Sequence, residues 1–274
     1  MNNRLLRAAM PPFIYSAAAK LRERRRGQAP PYEFVPGGWQ GNLPFSGWNA
    51  ESVLASYQAG WPDFVESVGG TQPQHLGASY GLLAGHNVVA CFSYALALVA
   101  QNKRALSILD WGGGIGHYYL RSRAALPHVA LEYHCKDVPL LAGHGRTLFP
   151  EAVFSSDESC FDRRYDFVLA STSLHYSEDW RRVLTALADS AQDCLMLNRL
   201  PCHEEGPSYV YRQNALGSRF LSWSFNAGDL LRHAEAAGLS LFREFLISDG
   251  PQPIQGAPSP SQMRAYLFRR SPRP

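Results

Sequence analysis

The sequence predicts an α/β fold: a doubly wound, mostly parallel sheet of seven strands with an antiparallel last strand, helices on both faces, and a mainly helical and irregular N-terminal extension. Three observations predict it. Short apolar runs alternate with helix-compatible segments from about residue 105 onward, an order that gives parallel strands joined by right-handed crossovers. The first run ends at Asp110 and breaks into a turn holding Gly112, Gly113, Gly114 and Gly116, followed by a helix-compatible stretch from Tyr118 to Ala125. The last two runs follow one another through a proline-rich connection, 250–260, with no helix between them, which makes the final pair antiparallel.

The elements follow in chain order. At 274 residues the chain holds one domain of about 200 residues plus an appendage. We place the extension at 1–75 and the domain at 76–274, with 200–226 as a substrate-side insertion. Within the extension, 14–26 reads as a helix entered through Pro11-Pro12, with Lys20, Arg22, Arg24, Arg25 and Arg26 clustered on it. Two readings are open for it: a solvated helix docked on the domain, or a basic amphipathic helix in peripheral contact with an anionic membrane surface. Residues 32–48 form an aromatic and glycine-rich loop, and 49–58 a short helix with Asn49 as N-cap and a stop at Gly60-Trp61-Pro62. The stretch 87–101 is apolar on nearly every side, as in a helix buried against a sheet. Strands are expected at 105–110, 130–135, 152–155, 165–171, 193–199, 240–247 and 263–269. Helices are expected at 116–125, 138–148, 158–162, 178–190 and 226–238.

Composition narrows the class. With 46% hydrophobic and 18% charged residues the chain belongs among globular proteins, and a net charge of +3 argues against nucleic acid as a partner. Five cysteines at 91, 135, 160, 194 and 202 form neither a C-x-x-C pair nor a metal-like spacing with histidine, so we expect no metal, reduced thiols and a cytoplasmic protein. No apolar run reaches 18 residues, so no membrane-spanning helix is expected.

The glycine spacing separates two kinds of ligand. A dinucleotide fingerprint wants glycines at relative positions 0, 2 and 5; from Gly112 the third position is His117, and from Gly114 it is Tyr119. The acidic-x-Gly-x-Gly-x-Gly pattern fits instead, with Asp110, Gly112, Gly114 and Gly116 in place. This resembles the first motif of the class I S-adenosylmethionine-dependent methyltransferases, whose sheet is Rossmann-like and ends in an antiparallel pair. The resemblance implies S-adenosyl-L-methionine as cofactor, with its methionine end against Gly112, Gly113, Gly114 and Gly116, and Asp110 orienting the turn. Asp137 follows Gly116 by 21 residues, the separation at which a carboxylate receives ribose hydroxyls; it equally suits a cap on the helix beginning at Val138. The resemblance also places the adenine amino group near Ser155-Ser156-Asp157, where Asp157 reads as well as a capping residue, and turns Ser171 toward the cofactor.

The loop after the fourth strand, Thr172-Ser173-Leu174-His175-Tyr176, faces the reacting centre in such enzymes. His175 is the first candidate for a base, because its ordinary pKa lies near neutrality, and His117 inside the glycine turn is the second. The stretch 200–226 carries His203, Tyr211, Arg219 and Trp223, a set of aromatic and cationic groups suited to a polar ring-shaped acceptor or to an ordinary lid. The Asp/Asn-Pro-Pro-Tyr/Phe sequence of amino methylation on DNA bases is missing, and Pro201-Cys202 follows the fifth strand rather than the fourth, so Cys202 reads as incidental.

A narrower resemblance covers most of the chain. Pro11-Pro12 before the basic helix, Leu109 to Tyr119, Asp137-Val138-Pro139, Ser171 to Trp180, Asn198 to Pro201, Phe220 to Leu231 and Ala265 to Arg270 are similar to methyltransferases found alongside bacterial surface-polysaccharide biosynthesis. That family usually has glutamate where Asp137 stands and often glutamine where His175 stands. The expected activity is O-methylation of a sugar in a glycan or glycan precursor. A small-molecule O- or N-methyltransferase, an NAD-dependent sugar oxidoreductase and a non-catalytic cofactor-binding module are the alternatives; acceptor identity and oligomeric state are left open.

Overall fold

The computed structural model describes residues 30–39, 47–69 and 80–271. The basic helix expected over 14–26, and with it the membrane contact, lies outside these residues. Among the described residues no helix is long and apolar enough to cross a membrane, and all five cysteines are buried free thiols.

The central sheet is built from β2 (Ala105–Trp111), β3 (Ala130–Lys136), β4 (Val153–Ser155), β5 (Tyr165–Ser171), β6 (Ala191–His203), β9 (Leu239–Gln252) and β10 (Ser261–Arg270). Their spatial order is β4-β3-β2-β5-β6-β10-β9; all neighbours are parallel except β10, which runs antiparallel to both β6 and β9. The first five are parallel because helices return the chain to the same edge each time: α3 (His117–Ala125), α4 (Pro139–Leu148), a 3-10 turn (Ser159–Asp162) and α5 (Trp180–Ser190). Strands covered on both faces need no polar side. Accordingly Phe167 to Ser171 of β5 is buried without interruption.

Two apolar layers flank the sheet. Phe92, Leu96 and Val99 of α2 (Tyr80–Ala100) pack with Ile108, Phe167, Met196 and Leu267 on one face. On the other, Trp180, Val183, Leu184, Leu187 and Ala188 of α5 fall at helical spacing and meet Leu109, Val168, Leu195 and Tyr266, joined by Leu230 of α6 (Ala227–Ala236). Asp179 and Asn226 cap α5 and α6, their side chains accepting from Arg182 N and Asp229 N, each worth about 1 kcal/mol.

The sheet has three strands more than the seven expected. β1 (Tyr32–Phe34), β7 (Tyr209–Ala215) and β8 (Ser218–Asn226) form an antiparallel layer in the order β1-β7-β8. β8 joins this layer to the main sheet through the parallel pairs Cys202↔Phe225 and His203↔Asn226. What reads in sequence as a long connection is therefore a paired hairpin that lines one side of the crevice.

The first described helix also departs from expectation. α1 spans Glu51–Gly69 and passes through Gly60-Trp61-Pro62 instead of stopping there. Proline removes one helical hydrogen bond, yet Trp61 packs edge-on against His117 and Phe149 at 5.1 and 5.8 Å between ring centroids, and this tertiary contact outweighs the local break signal.

Candidate active site

The chain leaves β2 toward β3 and β4 on one side and reaches β5 and β6 on the other, so the crevice opens at the carboxyl ends of β2 and β5. Two cavities lie there, about 410 and 200 Å³, and share Trp48, Tyr57, Gly112, Ser171, Thr172 and Tyr176 as a common wall.

The glycine turn forms the floor. Gly112 has φ +74°, and a Cβ on it would lie 2.3 Å from Ser173 Cβ. Ser173 itself donates to the Trp111 carbonyl at 2.6 Å, which holds the loop after β5 tight against the turn. Beneath the turn, Asp110 is fully buried; Tyr133 donates its hydroxyl to Oδ2 at 2.5 Å, while Oδ1 has no partner. Burial pushes the Asp110 carboxyl up to about 7; the Tyr133 hydrogen bond pulls it back and the nearby Asp137 charge adds to the rise. Asp110 therefore supports the turn from below and lines neither lobe.

Buried Asp137 lines the smaller lobe. Its Oδ2 accepts from Gly114 N at 2.6 Å and its Oδ1 from Val138 N at 2.7 Å. Burial raises its pKa, and the two backbone N–H groups pull the other way. A carboxylate has about four acceptor sites, so two are left for a ligand diol. Trp111, stacked on Phe161 at 4.8 Å, and Val138 supply flat and apolar wall beside it, with Lys136 Nζ 4.2 Å over the Trp111 ring. This donor and wall set fits a nucleoside: a diol on Asp137 and a base against apolar surface.

The larger lobe holds His117, His175, Tyr118, Ser171, Arg199 and Tyr211. Tyr118 and Ser171 share a hydrogen bond of 2.7 Å, and burial raises the Tyr118 phenol to about 12. His117 is wedged edge-on among Tyr57, Trp61 and Phe64 of α1, and burial, then Arg121, lowers it to about 4. His175 is 1% exposed, its Nδ1 has no partner, and burial, then Arg199, lowers it to about 3. Both imidazoles are held neutral at pH 7, and His175 lines the lobe with its Nδ1 buried and without a partner.

The remaining sequence candidates lie elsewhere. Gly116 starts α3 away from both lobes. Exposed Asp157 lies just before the 3-10 turn and accepts from Ser159 N at 3.0 Å. His203 is buried with both ring nitrogens engaged, by Ser224 Oγ at 3.0 Å and the Pro207 carbonyl at 3.1 Å. Arg219 contributes its carbonyl to Gly47 N. Trp223 stacks on Trp39 and donates to the Glu178 carbonyl at 3.2 Å. Tyr57 was not among the candidates, and Trp48, Thr172, Tyr176 and Arg199 were named only within longer stretches; all five line the crevice. Thr172 and Tyr176 belong to the loop after the fourth strand and Arg199 to the stretch Asn198 to Pro201, whereas Tyr57 and Trp48 come from α1 and its approach, about which the glycine motif is silent.

A lowered histidine pKa leaves a trace in stability. For a group with an ordinary pKa of 6.5 and a native value of about 3, the unfolded chain takes up the proton first. The His175 contribution is thus complete above pH 6.5 and is lost as pH falls toward 3. In melts between pH 7 and 4, the wild-type Tm should fall further than that of His175→Gln; parallel declines would mean that His175 is not held neutral by burial.

The order β4-β3-β2-β5-β6-β10-β9 with antiparallel β10 is the Rossmann-like fold of the class I methyltransferases. No protein-family model and no curated protein matches the sequence. Solved structures share the fold. The [4+2]-cyclase SpnF matches with a TM-score of 0.51 at 15% identity, covering 79% of this chain and 95% of that one. The magnesium protoporphyrin IX methyltransferase of Synechocystis PCC 6803 with bound SAM gives 0.48 at 14% identity over 85% of this chain and 100% of that one. The sugar N-methyltransferase KedS8 from Streptoalloteichus sp ATCC 53650 gives 0.45 at 17% identity over 74% and 96%. A cyclase among them means that the fold by itself does not dictate the reaction; the site must do so.

Proposed function

We propose that the chain is an S-adenosylmethionine-dependent methyltransferase acting on a hydroxyl of a sugar in a glycan or glycan precursor. The observation that carries this reading is the pairing of the two lobes: a smaller lobe lined by Asp137, Trp111 and Val138 shares Gly112 and Ser171 as a wall with a larger lobe lined by hydroxyls, amides and His175. Bound in the smaller lobe, S-adenosylmethionine supplies an electrophilic methyl group on sulfur.

The chain's own residues do the rest. Asp137 receives the ribose diol, and the backbone of Gly112 to Gly114, which lines the larger lobe, receives the methionine end. On the acceptor side, Tyr211, Gln213 and Gln252 bring a phenol and two amides; Gln213 Oε1 accepts from Tyr176 at 2.7 Å, and Gln252 Oε1 is buried without a partner. An orphaned acceptor of this kind costs about 1–3 kcal/mol until a ligand donor meets it, which favours a polyhydroxylated ligand. His175 Nδ1 takes the hydrogen bond of the hydroxyl to be methylated. With a pKa of about 3 it is a weak base, so it would orient an oxygen lone pair toward the methyl group and accept the hydroxyl proton only as the C–O bond forms and the methyl's bond to sulfur breaks, S-adenosylhomocysteine being the leaving group.

The test is transfer of labelled methyl from S-adenosylmethionine to a panel of sugars and glycan precursors, with two variants. His175→Gln keeps a side-chain acceptor and should retain turnover within ~10-fold; His175→Leu should lose ~100-fold or more, with KM for the cofactor unchanged. No transfer to any sugar, with transfer to amines or phenols instead, would move the reading to a different small-molecule acceptor.

A further inference from the structure

Four described residues other than glycine have φ in the left-handed region. Asn102 is one; the other three, Thr172 (φ 55°), Arg199 (φ 55°) and Leu216 (φ 53°), all line the larger lobe although they come from three separate segments. In this conformation the Cβ crowds the following carbonyl, so such residues persist where the surroundings or the function require the side chain. Thr172 and Arg199 each follow a member of the pair Ser171↔Asn198, Thr172 just past the end of β5 and Arg199 within β6, and Thr172 N donates to the Asn198 carbonyl at 2.8 Å. The two residues therefore sit at one level of the sheet and both line the lobe.

Leu216 breaks the local rules most clearly. With Gly217 (φ 67°) it fills the two-residue turn between the paired Ala215 and Ser218, and both central residues have positive φ. That turn favours Asn-Gly; leucine neither relaxes there nor bonds its own backbone. Leu216 is also 39% exposed, one of six large apolar side chains so exposed among the described residues. It combines backbone strain with exposed apolar surface, at the rim of a lobe whose deeper walls, Tyr211 and His175, are 1% exposed.

We propose that Leu216 is a specificity-determining residue and that the acceptor is amphiphilic: a sugar ring against the polar inner wall, with an apolar substituent leaving past Ala215 and Leu216. This rests on the methyl-transfer reading of the larger lobe and adds the class of group attached to the sugar. Polar side chains alone would serve a free sugar; an apolar residue held in an unfavourable turn serves the substituent.

The full chain loaded with S-adenosylhomocysteine is titrated calorimetrically with octyl and methyl glycosides of glucose and galactose, below micellar concentrations. The octyl member of a pair should bind ~10-fold tighter than the methyl member, the effect of burying one apolar side chain's worth of surface. Leu216→Asn should melt at a higher temperature, because Asn-Gly suits the turn, and its preference for octyl should shrink to ~2-fold or less. Equal affinity for the two members, binding of neither, or an octyl preference that survives Leu216→Asn overturns the proposal. Uptake of S-adenosylhomocysteine is measured before the glycoside is added, so a failure of the cofactor reading registers in that first step alone.

Discussion

Replacing Asp137 by alanine should abolish binding of S-adenosylhomocysteine in a calorimetric titration, from micromolar affinity in the wild type to none detected. The expected size follows from what the carboxylate does twice over. It accepts from Gly114 N and Val138 N, at 2.6 and 2.7 Å, and so pins the glycine turn to the end of β3. Hydrogen bonds to a charged acceptor are worth about 1.5–3 kcal/mol each, so removing it frees the turn before any ligand arrives. On the proposed reading its remaining acceptor sites receive the ribose diol, and losing two such contacts adds a comparable amount. Together these amount to a loss of two orders of magnitude or more. Asp137→Asn separates the two roles: one amide oxygen still receives a single backbone N–H, so the fold is kept, while the amide NH₂ faces ligand hydroxyls and Gly114 N less well. We expect the asparagine variant to melt within a few degrees of wild type and bind at least ~30-fold more weakly. Retained affinity in both variants, or binding of NAD in place of S-adenosylhomocysteine, would overturn the assignment of the smaller lobe.

Which parts of this were legible in the sequence depends on how local the cause is. Asp110 to Gly116 was legible because the turn is made by its own backbone: only glycine admits φ +74° at 112 beside a neighbour at 2.3 Å. The seven strands of the main sheet were legible because buried parallel strands carry uninterrupted apolar runs such as Phe167 to Ala170. The β7–β8 hairpin was not, since its turn is Leu216-Gly217 rather than Asn-Gly, and a pattern reader passes over the one position where the chain departs from the favoured residue. Tyr57 escaped for a different reason. Its ring lies where a Cβ on Gly114 would sit at 2.8 Å, a contact between segments 57 residues apart that no periodicity encodes. His203 and Asp157 show the converse. Both have chemistry to offer, but each is satisfied by neighbours in its own turn or hairpin, His203 by Ser224 and Pro207 and Asp157 by Ser159. A sequence lists functional groups; packing decides which of them have capacity to spare.

Gly113 offers the sharpest test of how Asp110 supports the turn. Its φ lies outside the left-handed region, so alanine there is not strained by conformation. Instead, the added Cβ would lie 2.2 Å from Asp110 Oδ2, 2.5 Å from Asp110 Cγ and 2.8 Å from Cys135 Sγ. None of these can retreat: Asp110 is fully buried and held by Tyr133, and Cys135 is 1% exposed. We expect Gly113→Ala to destabilise the fold by about 3 kcal/mol or more, at the upper end of overpacking effects. Gly60→Ala in α1, with nothing within 4 Å of its Cβ, should instead stabilise by about 0.5–1 kcal/mol. A cycle with Asp110→Ala, Gly113→Ala and the double variant tests the contact directly. Removing the carboxylate opens space for the new methyl, so the double variant should be more stable than the sum of the single effects by at least about 1 kcal/mol. Simple additivity in denaturant melts would mean that Asp110 does not press on the turn. Its buried carboxylate, raised to about 7 and with Oδ1 unpartnered, would then need a role other than supporting the glycines above it.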